Sequence, residues 1–397
     1  MRRLNKQVRS SSKRKLKAKR AVKPLPAPPP GPRPESWVGW DTGYARGIDE
    51  GAHFGLCESI YRQGKPLPVV KRNVSVLYVK GDGAPYVSLD QGIEEALKQL
   101  VEKVEVVGPE QDVAGQAEQL RPDLVLVLDA AGRSFPTEQV DRIRSLGIRT
   151  AVWFPDDPYH SDTTAVIAPH YDFVFTLEAS CVPLYRQLGC VHTYHLPFAV
   201  NPDFMRHVRT EPEFKHDICF IGSAFWNRAV FFDEIAGYLA GKNIKIIGWW
   251  WDRMRNYKLL ADKIEGVWLS PEETAKQYSA AKLVINLHRS AEDATHNSNS
   301  RNLPATAVNP RLFEINACAT LQLVDNRPEL SSLYAPGIEI ATFTTPDELV
   351  HKIEYYLSHE QERREMVKRS LLKTVTEHTY PKRLERLLRI VFEASGA

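Results

Sequence analysis

The sequence predicts an α/β protein made of two Rossmann-like, doubly wound domains facing a cleft, preceded by a disordered basic N-terminal tail. Three observations carry this. Short apolar runs without polar alternation are separated by helical stretches, as in parallel sheets covered on both faces. The pattern starts near residue 71, breaks at a polar stretch around 201–215, and starts again. The chain has 397 residues, more than one hydrophobic core usually serves.

The elements follow in order. Residues 1–34 carry 12 Lys or Arg and no acid, then a Pro-rich run, and read as a disordered tail ending in a stiff linker. Residues 35–70 place Gly39, Gly43, Gly47, Gly51 and Gly55 every four positions, with Trp40, Tyr44 and Ile48 between. This predicts a helical linker that needs packing support, because each helical Gly costs about 1 kcal/mol. The first domain spans 71–205. Its predicted strands are 74–79, 104–107, 124–128, 149–154 and 173–176, with helices at 89–100, 137–146 and 180–188. The second spans 206–380, with strands at 217–221, 244–247, 283–287 and 321–324. Helices are predicted at 228–240, 270–281, 310–319, 346–357 and 361–376. The 270–281 helix opens on Ser270-Pro271-Glu272-Glu273, with Ser as cap and Pro in the first turn. A final amphipathic helical segment is predicted over 381–397.

Composition narrows the function. No apolar stretch reaches the ~18 residues of a membrane span, so no transmembrane segment is expected. The five cysteines, Cys57, Cys181, Cys190, Cys219 and Cys318, are odd in number and lack C-x-x-C spacing. Free thiols in a cytoplasmic protein, and no metal site, are expected. Outside the tail, 40 basic residues face 49 acidic ones. The basic tail is therefore the part suited to anionic surfaces, whether nucleic acid, membrane or acidic partner, or it only solvates.

Residues that bear chemistry cluster at predicted strand ends, where ligands of such sheets sit. Asn309-Pro310-Arg311 opens a helix whose free N–H groups suit an anion, and Glu314 lies one turn on, within reach of a ribose diol. Alternatively, Asn309 only caps and Arg311 pairs with Glu314 locally. Gly222-Ser223 ends a strand and Arg228 follows, a turn that can approach a diphosphate, or an ordinary βα turn. The polar loop 289–308 is long enough for a lid or ligand-binding loop, or is a disordered insertion. Asp156 and Asp157 follow the 149–154 strand and could supply a general base, or sit in a turn as exposed acids. Gly81-Asp82-Gly83 is a further cleft candidate. Trp249, Trp250 and Trp251 could stack a base or pack in the core.

Residues 74–394 resemble the CgeB-like spore-maturation family of GT-B glycosyltransferases. The resemblance rests on WFPDDP at 153–158, DICFIGS at 217–223 with Arg228, NPRLFEINAC at 309–318, and His378-Thr379-Tyr380 with Arg383. It implies a nucleotide-sugar donor as substrate, with no cofactor and no metal. Gly222, Ser223, Arg228, Asn309, Arg311 and Glu314 would hold that donor, and the 381–397 helix would cross back to the first domain. Asp156 or Asp157 would deprotonate the acceptor if the transfer inverts, and a retaining transfer is the alternative. The acceptor, a glycan, protein or small molecule, would enter from the first domain. Cytoplasmic or spore-associated localisation follows from the same resemblance. Two positions depart from the family's pattern. Thr306 stands where an earlier glutamate is usual, and Ala319 where Gly is usual. The first departure favours an alternative, a catalytically inactive scaffold of the same fold.

Overall fold

The computed structural model describes residues 35–64, 70–81, 83–130 and 135–393. The basic tail and Asp82 lie outside the described residues. A 30-residue helix, Glu35–Gly64, comes first. Residues 52–397 form one compact unit, which holds both sheets.

The first sheet contains β1 (Arg72–Val79), β2 (Val101–Val107), β3 (Leu124–Leu128), β4 (Arg149–Phe154), β5 (Phe173–Thr176) and β6 (Thr193–His195). Its order is β2-β1-β3-β4-β5-β6, and every pair is parallel. The second contains β7 (His216–Ile221), β8 (Ile244–Ile247), β9 (Ile264–Glu265), β10 (Ala281–Asn286), β11 (Leu321–Asp325) and β12 (Ala341–Phe343). Its order is β12-β11-β10-β7-β8-β9, again all parallel. The central strands are buried on both faces, and β3 reads LVLVL with every residue inside. Burial on both faces is why these strands appear as unbroken apolar runs. The chain order reverses between β1 and β3 in one sheet and between β7 and β10 in the other. Such reversals open a crevice at the carboxyl ends of the strands.

Two segments cross between the domains. Val200 N donates to His378 O (3.1 Å) and Tyr380 N to Val200 O (3.2 Å), so the outgoing and returning chains are bonded to each other. After Tyr380 the last helix, Tyr380–Glu393, returns to the first domain. There Leu384, Leu387, Leu388 and Val391 join the core beside Leu89, Ile93 and Val76. A Cβ on Gly92 would lie 2.3 Å from the Tyr380 ring, so glycine lets this helix sit close. The helix Arg311–Ala317 ends with Ala319 at φ +53, a left-handed position that explains the usual Gly there.

Candidate active site

A cavity of about 550 Å³ lies between the two sets of strand ends. Its second-domain wall starts at β7. Gly222 N donates to Ile247 O (2.8 Å), joining the ends of β7 and β8. A Cβ on Gly248 would lie 2.3 Å from Gly222 O, so this junction needs glycine at 248. A Cβ on Gly222 would lie 2.5 Å from Arg311 Nη1 and 3.2 Å from Arg228 Nη1. Glycine at 222 thus leaves room for two guanidinium groups.

Backbone carbonyls pin both groups. Arg228, 4% exposed, donates from Nε to Leu287 O and from Nη1 to Ser223 O, both at 2.9 Å. Arg311 Nη1 donates to Ile221 O at 2.6 Å. Burial, then the neighbouring Arg311 charge, pushes the Arg228 guanidinium below its ordinary pKa. Among the described residues neither forms an ion pair with a carboxylate. Glu314 does not pair with Arg311. Its Oε1 accepts from Ser88 Oγ of the first domain at 2.7 Å, and burial raises its pKa.

Asn309 follows the second of its two readings, in which it caps the helix. Its Oδ1 accepts from Leu312 N, its Nδ2 donates to Asn286 Oδ1, and its N–H donates to His288 Nε2. The N–H groups of Phe313 and Glu314 bond to Pro310 O. The helix begins at Arg311, with Pro310 before it, and most of its first-turn donors are already used. Asn309 is therefore a brace, and the anion-binding helix end expected from sequence is largely self-satisfied. His288 completes the brace through Nδ1 to Asp325 Oδ1 (2.5 Å).

On the first-domain wall the two adjacent carboxylates separate. Asp156 lines the cavity and accepts from the Tyr86 hydroxyl. Asp157 is turned inward, 2% exposed. It accepts from Thr164 (3.0 Å), Thr176 (2.7 Å) and Tyr185 (2.6 Å), and burial lifts its pKa to about 6. Asp157 organises the interior and does not reach the cavity, which corrects its assignment as a candidate base. Of the three tryptophans, Trp249 and Trp250 line the cavity, while Trp251 is core and donates to Gly222 O at 3.1 Å.

Residues 289–308 form an ordered loop and not a loose insertion, and Arg289 and His296 from it line the cavity. They strap the second domain to the first. Asp162 accepts from Ser300 N–H and Oγ (2.9 and 2.7 Å), and Asp162 N–H donates to Ser298 O (2.9 Å). The buried Glu178 accepts from the backbone of Thr306 (2.7 Å) and Ala307 (2.9 Å), and from the Thr306 hydroxyl. Sequence reasoning missed Ser88, Tyr86 and Tyr159, and took Arg289 only as the start of the 289–308 loop; all four are on the cavity wall. Arg289 follows β10, at the kind of strand end that had singled out Gly222. Among the described residues no cluster of three metal-type ligands forms.

Residues 228–389 match the sequence profile of the glycosyl transferase-like family. The chain is 26% identical over 312 residues to the spore protein CgeB of Bacillus subtilis, covering 77% of this chain and 95% of that one. Among solved structures, a glycosyltransferase from Rickettsia africae superposes with TM-score 0.58 at 12% identity, covering 82% of this chain and 99% of that one. HepE of Anabaena, solved with UDP-glucose, gives 0.55 at 12% identity, covering 82% and 100%. The chain resembles CgeB and has the GT-B fold. In this GT-B frame the family match covers the domain that carries Arg228, Arg311 and Glu314. Among the described residues no helix is long and apolar enough to cross a membrane.

Proposed function

We propose that the chain transfers a sugar from a nucleotide-sugar donor, with the second domain holding the nucleotide. The observation that carries this is the pair of guanidinium groups, Arg228 and Arg311, tied to strand-end carbonyls beside one cavity and without carboxylate partners among the described residues. Placing unpaired cations in a partly dry cleft is costly, and an anion of matching charge removes the cost. A diphosphate at the Gly222-Ser223 turn supplies that anion. As the sugar–phosphate bond breaks, the same groups face the growing negative charge of the leaving diphosphate, without a metal. Glu314 accepts the ribose hydroxyls, taking over from Ser88. Trp249 and Trp268 offer faces for the base. HepE, whose structures hold UDP and UDP-glucose, supports this donor class.

Asp156, on the opposite wall, takes the proton of the attacking acceptor hydroxyl, with Tyr86 fixing the carboxylate. The similarity to CgeB, a spore protein, supports glycosylation of a spore surface or cell envelope by a protein acting in the cytoplasm or at the spore. The test is calorimetric titration with UDP, GDP and their sugar conjugates, followed by donor-hydrolysis assays. Nucleotide binding that Arg311→Ala and Glu314→Ala each sharply weaken is the expected result. An unchanged affinity in both variants rejects the site. Binding without turnover of any donor instead favours a scaffold, the reading suggested by Thr306, whose hydroxyl is turned to Glu178.

A further inference from the structure

Arg289 is a third cation at this cavity, and its surroundings differ from those of the other two. Its guanidinium lies over the Tyr159 ring at 4.6 Å and the Phe225 ring at 4.3 Å. Tyr159 belongs to the first domain, following β4, and Phe225 to the second, following β7. One hydrogen bond, Nη2 to His296 O (2.5 Å), ties the group to the strap. Nε is buried and has no protein partner, and no ion pair with Arg289 forms among the described residues. Aromatic faces hold the plane of a guanidinium but do not neutralise it, and its in-plane N–H groups remain suited to an oxyanion.

We propose that Arg289 is a phosphate-binding residue that grips the donor diphosphate together with Arg228 and Arg311, and that rings from both domains hold it in position. This rests on the nucleotide-sugar reading above. Arg228, Arg289 and Arg311 all line the one cavity. Their charges are also close enough to act on each other, since Arg311 and Arg289 both lower the pKa of Arg228. Three mutually repelling cations at one place suit a ligand with more than one negative charge. The carboxylates that act on Arg289 are Asp156, the stronger, which accepts from Tyr86, and Asp293, which accepts from Thr295 N and lies beside His296. Tyr159 acts as a positioning residue. Its hydroxyl donates to Arg289 O (3.0 Å), its carbonyl accepts from Ser298 N (2.7 Å), and its ring closes one face of the guanidinium.

The test compares UDP with UMP by calorimetry on the full chain, using GDP with GMP where the wild type selects guanine. Arg289→Gln is expected to lose about tenfold or more in UDP affinity, the scale of a charge-assisted phosphate contact, while UMP affinity stays within about twofold. Arg289→Lys should keep part of the UDP preference. Tyr159→Leu should lose UDP affinity in the same direction by a smaller factor. Should Arg289→Gln fail to fold, as judged by its unliganded melting curve, the Lys and Tyr159 variants carry the test. Wild-type UDP affinity in Arg289→Gln, or equal losses for UDP and UMP, overturns the assignment and leaves the donor site standing. In the first case an anion on the acceptor side becomes the partner of Arg289. A wild-type chain that binds no nucleoside diphosphate overturns both.

Discussion

Ser88 Oγ donates a 2.7 Å hydrogen bond to Glu314 Oε1, joining the helix Val87–Leu100 of one domain to the helix Arg311–Ala317 of the other. A hydroxyl on a buried carboxylate is the contact that a ribose would make, so Ser88 and a bound nucleotide compete for the same oxygen. Glu314→Ala should weaken UDP binding about 10- to 100-fold, the range for a hydrogen bond to a charged group. Ser88→Ala should leave binding intact or tighten it. Burial raises the Glu314 pKa, so its ionised, accepting form is lost at a higher pH than for an exposed glutamate. UDP affinity should therefore fall on acidification earlier than a solvent-exposed carboxylate would dictate, and Glu314→Gln should flatten that dependence. Calorimetry across pH measures both.

Asp156→Asn should reduce glycosyl transfer by about 10²–10⁴, the usual contribution of a positioned base. UDP affinity should not fall, because Asp156 lies on the first-domain wall and its charge acts against the diphosphate through Arg289. A variant with near wild-type turnover would assign the base elsewhere.

Asp157 predicts a stability effect. Its pKa rises from 3.8 to about 6 because burial outweighs three donated hydroxyl bonds. A carboxyl that binds its proton more tightly when folded contributes stability that is fully present below the unfolded pKa and is lost as pH rises through the folded one. About 3 kcal/mol should be lost between pH ~4 and ~6 from this group, at roughly 1.4 kcal/mol per pKa unit. Asp157→Asn should remove that slope from urea-denaturation midpoints measured over this range, with transfer activity retained.

Gly248→Ala should destabilise the chain by about 2–4 kcal/mol, the range of core strain and backbone clashes. The added Cβ meets backbone, 2.3 Å from Gly222 O and 3.0 Å from Ser223 N, at φ +138. Ala319→Gly should act oppositely and stabilise by about 0.5–1 kcal/mol, since Ala319 sits at φ +53 past a helix end. Chemical denaturation of both variants checks the pair.

The central strands were legible because burial on both faces writes itself as an apolar run. Residues 124–128, 149–154 and 173–176 begin and end where the sequence placed them. The edge strands β6, β9 and β12 have two or three residues, too few for a periodicity to show. The site was legible where a strand end carried Gly or Arg. Which of Asp156 and Asp157 meets the cavity was not, because Thr164, Thr176 and Tyr185 decide it from three other elements. The loop that starts at Arg289 stood out, but the part played by Arg289 within it did not, for the same reason. Its meaning depends on Tyr159 and Phe225, which belong to separate domains.

The strap has a consequence for recombining such proteins. Residues 298–307 are encoded in the second domain, yet Asp162, Glu178 and Ser180 of the first receive them. A chimaera cut in the connecting segment near residue 205 would pair a foreign acceptor half with a loop shaped for its former neighbour. Carrying 298–307 along with the acceptor half would preserve the seam, so the exchangeable module is discontinuous in sequence though contiguous in space.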